Sequence, residues 1–244
     1  MREEPGVTSL KIGEGLVEAI FRSRPNRFIL HCELPGGSVE KVHLPDPGRL
    51  KGILVPGRSI WLLPAKDPSR KTKWSAVMVR DPDSGAYISL NTQLPNRLIR
   101  EAFMSGELDE FSDWAFERAE YRIGHSRYDF LLRHKKEDAS LLVEVKSVTM
   151  ADGRAGRFPD AVTVRGARHV EGLAALQGEY ETAVLFVAQR GDIDSITSAP
   201  EIDPYFAKVM EEAAQKGVRF YGRVCEVTPT RLTLGRKIPV DTSI

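Results

Sequence analysis

Three ionisable residues stand in two strand-like runs that are otherwise rich in leucine and valine. Asp129 lies in "SRYDFLLR", whereas Glu144 and Lys146 lie in "SLLVEVKSV". Alternate side chains of a strand point to opposite faces, so Glu144 and Lys146 share a face with Leu142. Charged groups in such surroundings cost free energy unless they are paired or bind an ion. The pattern therefore indicates either a structural salt-bridge cluster or a site for chemistry.

The pairing of the two runs decides whether the three groups meet. If the polar segment "HKKEDA" is the turn of a hairpin, Arg133 pairs with Ser140. Asp129 then lies directly opposite Glu144, and opposed side chains share a face with Cβ atoms about 5 Å apart. We therefore expect Asp129, Glu144 and Lys146 to converge, although a slip of one residue would separate them.

Two facing carboxylates are suited to a divalent cation. They repel each other unless a proton or a cation lies between them. Mg²⁺ prefers one or two carboxylates together with waters and a substrate phosphate. With Mg²⁺ or Mn²⁺ held by Asp129 and Glu144, and Lys146 as the catalytic cation, the constellation predicts a metal-dependent nuclease or phosphodiesterase. In the alternative, structural interpretation, Lys146 only neutralises the two acids.

A basic segment earlier in the chain is a candidate contact for nucleic acid. The run "KDPSRKTKW" places Arg70, Lys71 and Lys73 next to Trp74. Cations that bind phosphates beside an aromatic ring that stacks on a base suit single-stranded or distorted nucleic acid. An unliganded basic surface loop is the simpler interpretation. No pattern for reading base edges is present, so little sequence specificity is expected.

A second candidate contact lies on the helix predicted in "AVTVRGARHVEGLAAL". Arg165 and His169 are four residues apart and so share a helix face. We expect this face to point away from Ala167 and Val170, which should pack on a sheet. Arg and His side chains near a helix start can hold a phosphate, and an ordinary solvated face is the alternative.

The elements that position these residues fall into two groups. Residues 15–92 contain apolar runs separated by turns rich in Gly, Pro and Asp, namely "GLVEAIF", "RFILHCEL", "SIWLLPA", "WSAVMV" and "AYISL". About five strands at this spacing predict a small barrel of the OB type, with a β-sandwich as the alternative. After residue 91 the order α-β-β-β-α-β-α-β predicts an α/β domain with a mixed sheet. The fold class is thus α+β with two domains, 1–90 and 91–244.

Particular ends of elements can also be predicted in the second domain. Asp203 and Pro204 mark the start of a helix that ends at Gly217. The segment "RLTLGRKIPV" predicts a short C-terminal hairpin with a turn at residues 234–236.

The composition is that of a soluble globular protein, with 41% hydrophobic and 28% charged residues. No run approaches the roughly 18 apolar residues of a membrane span, and the N-terminus lacks the apolar core of a signal peptide. We therefore expect a cytoplasmic protein with Cys32 and Cys225 as buried free thiols. The net charge of +1 neither indicates nor excludes nucleic-acid binding.

Longer strings of the sequence resemble one family. An Asp followed by Glu-x-Lys at the end of an apolar strand is similar to the PD-(D/E)XK nuclease pattern, which alone is weak. The strings "NRFILHCEL", "HLPDPGRLKGILVPG", "NTQLPNRLIREA", "SRYDFLL", "LLVEVKSVT" and "FPDAVTVRGARHVEGL" are far more specific. Together they resemble the sugar fermentation stimulation protein A family over residues 16–240.

This resemblance implies an OB-type barrel followed by a PD-(D/E)XK nuclease-like domain. It matches Asp129, Glu144 and Lys146 to the Asp, Glu and Lys of the family motifs. Nuclease folds of this type often carry another acid on the first helix, which makes Glu101 a candidate third metal ligand, with Glu120 as its rival. Family members are described as DNA-binding proteins that affect the use of sugars such as maltose.

The resemblance therefore predicts a largely sequence-nonspecific DNA-binding protein with a nuclease-like Mg²⁺ or Mn²⁺ site. Single-stranded or structured DNA is the expected partner. The alternative is a non-catalytic DNA-binding regulator of sugar metabolism genes. One loop departs from the family pattern "H-x-P-N-T-G-R", because Asp46 and Pro47 replace its Asn and Thr. The added charge and the lost N–H put phosphate binding by this loop in doubt.

Overall fold

The computed structural model describes residues 7–244. Residues 1–6, which belong to the predicted first domain, lie outside the described residues. The first strand, β1 (Ser9–Lys11), pairs with residues 231–233 near the other end of the chain. This segment is therefore an edge strand of the second domain's sheet, whereas the sequence predicts it to be part of the first domain.

The barrel is formed by the next strands: β2 (Val17–Asn26), β3 (Ile29–Glu33), β4 (Val39–His43), β5 (Ser59–Pro64), β6 (Trp74–Arg80) and β7 (Tyr87–Ser89). The pairing order is β4-β3-β2-β5-β6, and parallel pairing of β4 with β6 closes the barrel. β7 extends it at β6. Alternate side chains point inward to a core that includes Leu30, Val42, Ile60 and Ile88. Closure confirms the OB-type barrel and excludes the sandwich.

The second domain starts with α1 (Leu94–Ser105) and continues through β8 (Trp114–Ile123), β9 (Ser126–His134), β10 (Ser140–Val148), β11 (Ala151–Asp152), β12 (Ala155–Phe158), α2 (Val164–Ala175), β13 (Glu181–Ala188), β14 (Ser195–Ser198), α3 (Pro204–Gln215), β15 (Arg219–Val227), β16 (Arg231–Ile238) and β17 (Val240–Asp241). Its seven-stranded sheet has the order β1-β16-β15-β13-β10-β9-β8. The central β10, β13 and β15 are parallel, whereas the outer pairs are antiparallel. The predicted mixed sheet is thus confirmed.

The helices cover both faces of this sheet. Leu98, Ile99 and Ala102 of α1 pack on the face formed by Leu141, Val143 and Val145. α2 and α3 pack on the opposite face, which includes Leu142 and Val184. As predicted, Asp203 caps α3, and its Oδ1 accepts a hydrogen bond of 3.0 Å from the Phe206 N–H. The β10-α2-β13 and β13-α3-β15 connections bring the carboxyl ends of the parallel strands to one edge.

The C-terminal segment and a small second sheet differ from the sequence predictions. The segment 231–240 is not a hairpin, because residues 231–238 form the single strand β16 along β15. Gly235 is needed there for close packing: a Cβ atom would lie 3.0 Å from the Val224 carbonyl oxygen. The strands β11, β12, β14 and β17, absent from the prediction, form a small second sheet.

Cys32 and Cys225 are free and buried, as expected. No helix in residues 7–244 is both long enough and apolar enough to span a membrane.

Candidate active site

The hairpin of β9 and β10 has the predicted register. Ser140 pairs with Arg133, and the ladder continues to Val143 opposite Phe130. It ends there, one position before Asp129 and Glu144. β10 meanwhile continues its parallel pairing with β13 through Val148. The two strands thus separate where the acidic residues lie, and this opening is where an ion or a substrate group can enter.

Glu144 is the most deeply buried of the three predicted residues, with only 4% of its surface exposed. Its Oε1 accepts a hydrogen bond of 2.6 Å from Lys146 Nζ. His169 Nδ1 lies 2.6 Å from the same oxygen and donates to it, since a carboxylate can only accept. Glu144 Oε2 is buried and has no hydrogen-bond partner within residues 7–244. A buried carboxylate oxygen without a donor is costly, and a cation would satisfy it.

Asp129 is held from two other elements. Its Oδ1 accepts a hydrogen bond of 2.7 Å from Asn96 Nδ2 on α1, and its Oδ2 accepts one of 2.8 Å from the Val145 N–H. Both donors fix the carboxylate at the opening of the hairpin. Each oxygen still has a free lone pair, because a carboxylate offers about four acceptor positions.

The two carboxylates have opposite pKa shifts. Burial, followed by the charge of Glu144, raises the pKa of Asp129 to about 6. Burial also acts to raise the pKa of Glu144, but the hydrogen bonds and charges of His169 and Lys146 outweigh it, so that this pKa is lowered. The site therefore holds a firm negative charge on Glu144 and a more basic carboxylate on Asp129, and the two differ in readiness to bind a proton or a cation.

A local distortion of β8 accompanies Asp129. Glu120 has a φ of 56°, the left-handed conformation that is uncommon for residues other than Gly. On one side of it Ala119 pairs with Phe130, and on the other Tyr121 pairs with Tyr128. Phe130 belongs to the core on the α1 side and Tyr128 to the core on the α2 side. The side chains of both strands therefore change from one face of the sheet to the other at Asp129. Backbone strain of this kind is often found at functional sites.

A pocket of about 550 Å³ opens on Asp129. Its walls come from α1 and β8, and three arginines line it, Arg97, Arg100 and Arg118. Arg100 lies over the ring of Phe116, with 6.0 Å from its guanidinium carbon to the ring centroid. Three acids, Glu117, Glu120 and Asp129, line the same pocket, and the guanidinium groups beside them are donors suited to a phosphate group.

Glu101 and Glu120, the other two acidic candidates, differ in whether they line this pocket. Glu101 is exposed on α1, and the contact from α1 to Asp129 comes from Asn96 instead. Glu120 lines the same pocket as Asp129. A role of Glu101 or Glu120 in metal binding stays a prediction.

The expectation that the helix face of Arg165 and His169 points away from the sheet is wrong for His169, and phosphate binding by either residue stays a prediction. Arg165 is exposed, whereas His169 is 7% exposed and contacts Glu144. The buried face of α2 includes His169 in addition to the apolar residues that pack on the sheet. A polar residue at its edge is buried because a charged partner on β10 pairs with it.

The basic segment of the barrel lies at the edge of a groove of about 760 Å³ between the barrel and the start of α1. Arg70 lines this groove and donates hydrogen bonds to Ser75 Oγ and Thr72 Oγ1. Lys71 and Lys73 are exposed. Trp74 is partly buried against the barrel core, which leaves a limited ring surface for stacking. Nucleic-acid binding by this segment stays a prediction.

The side chains present fit a divalent cation. No group of three or more His, Cys, Asp or Glu side chains converges as a ready metal cage within residues 7–244. Two carboxylates meet the preference of Mg²⁺, which keeps several waters and takes one or two protein oxygens. The buried, donor-free Oε2 of Glu144 supports this fit, because it is an oxygen that a metal ion would satisfy.

Comparison with known proteins identifies two matching family models. Residues 23–90 match the SfsA N-terminal OB domain, and residues 93–231 match the sugar fermentation stimulation protein RE domain.

Curated relatives are similar over almost their whole length. A sugar fermentation stimulation protein homolog of Shouchella clausii is 46% identical over 230 residues, covering 92% of this chain and 97% of the relative. The homolog of Moorella thermoacetica is 39% identical over 227 residues, covering 92% and 96%. Among solved structures, Pyrococcus furiosus SfsA in complex with Ca²⁺ matches with a TM-score of 0.82 and 24% identity, covering 95% of this chain and 99% of that one.

Proposed function

The chain belongs to the sugar fermentation stimulation protein family, and we propose that it is a DNA-binding protein whose second domain holds Mg²⁺ or Mn²⁺ and cleaves phosphodiester bonds. In this proposal Asp129 and Glu144 are the metal ligands, and Lys146 is the catalytic cation. The two carboxylates, the lysine and the arginine-lined pocket together resemble a PD-(D/E)XK nuclease site.

The observation that carries the proposal is the unpartnered oxygen of Glu144. Its Oε1 accepts hydrogen bonds from both Lys146 and His169. Its Oε2 is buried without a donor, and the second carboxylate, Asp129, is nearby. Most buried polar side-chain atoms in folded proteins have a hydrogen-bond partner, so a buried carboxylate oxygen without a donor is a position that a bound ion would satisfy. A divalent ion held by Glu144 and Asp129 would satisfy the buried oxygen and reduce the repulsion between the two acids.

The substrate class follows from the charges around the opening. Arg97, Arg100 and Arg118 supply guanidinium groups that can bind phosphate oxygens in a bidentate manner. They line the same pocket as Asp129, so a phosphodiester bound there would lie next to one of the two proposed metal ligands. Phosphate contacts carry no sequence information, which fits sequence-nonspecific binding.

The chain's own residues have distinct roles in this reaction. Bound Mg²⁺ or Mn²⁺ supplies an activated water and neutralises negative charge on the phosphodiester. Asn96 and the Val145 N–H orient Asp129, and His169 orients Glu144. Lys146, with 12% of its side chain exposed, places a positive charge beside the reacting phosphate. The relative solved with Ca²⁺ supports a site for hard cations, because Ca²⁺ also takes oxygen ligands.

DNA binding combines this pocket with the barrel. OB-type barrels commonly bind single strands by cations and aromatic rings, and the exposed Lys71 and Lys73 flank the groove that leads to α1. The proposed preference is for single-stranded or structured DNA, whose backbone can bend from the groove to the active-site opening.

A second candidate function is a non-catalytic DNA-binding regulator, as the name sugar fermentation stimulation protein of the relatives suggests. The observation that favours it is the short contact of 2.6 Å between Lys146 and Glu144. A lysine that remains paired with this carboxylate would occupy one of its oxygens and would not act on a substrate.

Cleavage assays on single-stranded, branched and duplex DNA with Mn²⁺ distinguish the two functions. We expect Glu144→Gln and Lys146→Met to abolish cleavage while DNA affinity changes little. Glu226→Gln, an exposed acid on β15, is the matched control and should cleave like the wild type. Equal cleavage by all four proteins would refute the assignment of the site. Metal binding and DNA binding without cleavage in the wild type would establish the regulator.

A further inference from the structure

A second basic surface lies where the barrel meets the start of α2. It surrounds a pocket of about 390 Å³, here called the junction pocket, which is lined by Arg27, Arg49, Lys51, Ala161 and Val162 among others. The cations come from the barrel, and the apolar wall comes from the segment that precedes α2. This pocket is separate from the groove beside Lys71 and Lys73 and from the pocket that opens on Asp129.

Four cations line the junction pocket, and the three exposed ones, Arg27, Arg49 and Lys51, have no acidic partner within residues 7–244. Other exposed arginines of this protein are paired, such as Arg22 with Glu33 and Arg154 with Asp194. Unpaired charges of one sign around a concavity raise the local concentration of anions.

Arg24, the fourth cation of the junction pocket, contacts the backbone of two of the others. Its Nη1 donates to the Arg49 carbonyl oxygen at 2.8 Å, and its Nη2 donates to the Arg27 carbonyl oxygen at 2.9 Å. One guanidinium group therefore fixes the backbone of both exposed arginines. The two chain segments that carry Arg27 and Arg49 are thus held by a common support, which lowers the backbone entropy lost when these residues bind a ligand.

The loop that carries Arg49 is also fixed to the second domain. Asp160 Oδ2 accepts a hydrogen bond of 3.1 Å from the Leu50 N–H, and Leu50 has a φ of 51°, strained for a non-glycine residue. Gly48 permits the close approach, because a Cβ atom there would lie 2.4 Å from Asp160 Oδ2.

Asp46, the acidic residue by which this loop differs from the family pattern, is buried. Asp46 is 5% exposed, and its Oδ1 accepts a hydrogen bond of 2.7 Å from the Gly48 N–H. Its charge is thus turned inward, beside Arg24 and Asp160. The doubt that Asp46 raised about phosphate binding by this loop is therefore removed for the exposed cations that follow it.

The junction pocket is connected to the active site by α2. Val162 lines the pocket just before this helix, and His169, which contacts Glu144, lies in its second turn. Five residues separate the helix start at Val164 from His169, which at the helical rise is about 7 to 8 Å. Arg165 is exposed on the intervening turn. The segment from Val162 to His169 therefore reaches from the junction pocket to Glu144.

We propose that the junction pocket, through Arg27, Arg49 and Lys51, binds backbone phosphates of the nucleic-acid substrate and thereby positions the strand relative to the active site. This inference rests on the proposed DNA-binding function and adds the surface that performs part of it. It also assigns binding to both the barrel and the second domain.

The test is the salt dependence of DNA binding, measured by fluorescence anisotropy with a labelled oligonucleotide, for the wild type and for Arg27→Gln/Arg49→Gln/Lys51→Gln. The plot of log affinity against log salt has a negative slope. Each lost phosphate contact reduces the magnitude of this slope by about 0.7 for a single strand and 0.9 for a duplex. The triple variant should lose about two to three units of slope, and each single variant about one. The control, Lys136→Gln/Lys208→Gln/Lys216→Gln, removes three exposed charges elsewhere and should keep most of the slope.

The outcomes separate this inference from the function on which it rests. Equal slopes for the two triple variants, with normal binding by the wild type, would overturn the junction pocket alone. Absence of DNA binding by the wild type at low salt would overturn the proposed function and this inference with it. A pocket that binds inorganic phosphate or a mononucleotide, with unchanged DNA binding in the triple variant, would be a small-ligand site and would also overturn it. Thermal melting checks that the variants are folded.

Discussion

The buried carboxyl group of Asp46 makes the stability of this protein depend on pH in an unusual direction. Burial raises the pKa of Asp46 to about 6, the Gly48 N–H acts to lower it, and the charge of Asp160 raises it further. In the unfolded chain the same group has an ordinary pKa near 3.8. The folded protein therefore binds this proton more tightly than the unfolded chain does. The stabilisation from this proton is fully present below about pH 4 and is lost as the pH rises through about 6.

The magnitude follows from the difference between the two pKa values. A difference of about two units corresponds to about 3 kcal/mol of unfolding free energy, since each unit contributes about 1.4 kcal/mol. Asp46→Asn removes the ionisation but keeps an oxygen that can accept the hydrogen bond from Gly48. Above pH 6 the variant should therefore be more stable than the wild type, by an amount of the order of 1 to 3 kcal/mol. This advantage should shrink toward pH 4.

Urea unfolding of the two proteins, followed by tryptophan fluorescence between about pH 4 and pH 8, measures this difference. Asp83→Asn, which removes an exposed carboxylate from a turn, is the control. A difference between Asp46→Asn and the wild type that is independent of pH would refute the reasoning, as would a variant that is less stable at pH 8. Either result would mean that the Asp46 carboxylate is stabilised as an anion by Arg24 more than it is destabilised by burial.

Three further substitutions test individual contacts. His169→Gln should weaken Mn²⁺ binding by about 10- to 100-fold, because the residue that orients Glu144 is lost, and calorimetry measures this. Gly48→Ala should destabilise the protein by about 1 to 3 kcal/mol in urea unfolding, because its Cβ would collide with Asp160. Glu120→Gly should stabilise it by about 0.5 to 1 kcal/mol, because a glycine adopts the left-handed conformation without strain.

Each of these substitutions has a result that would count against it. Unchanged Mn²⁺ affinity in His169→Gln, with Arg165→Gln as the control on the same helix, would show that His169 does not position Glu144. A Gly48→Ala variant as stable as the wild type would mean that the loop moves away from Asp160 at little cost. A Glu120→Gly variant that loses stability would mean that the exposed pair of Glu120 with Arg127, 3.5 Å apart, outweighs the backbone strain.

The register of the active-site hairpin could be predicted because two apolar runs flank one polar turn. Any slip would have moved Leu142 and Leu131 away from the α2 side of the sheet, so burial fixes the pairing. The ends of α3 were equally clear, since Asp203 and Gly217 have the chemistry of a cap and a stop. Strand β4 was missed because its "VEKVH" has a single buried residue, Val42, and lies between two turns.

The parts of the site that escaped prediction depend on contacts between distant elements. His169 on α2 is buried against Glu144 on β10, which pairs with it. The spacing of residues along a helix cannot predict a partner on a distant strand. Asn96 likewise has an unremarkable position in α1 until Asp129 is placed opposite it. The left-handed Glu120 has no signal at all, since the residue type does not favour that conformation.

The central claim is that Asp129 and Glu144 hold a divalent cation. Calorimetric titration of Mn²⁺ into the wild type and into Asp129→Asn/Glu144→Gln tests it most directly, because the readout does not require a substrate. We expect the wild type to bind one Mn²⁺ ion and the double variant to lose that binding while remaining folded. If the wild type binds no Mn²⁺, or if the double variant binds it equally well, the three charged residues form a salt-bridge cluster and the proposed metal site is contradicted.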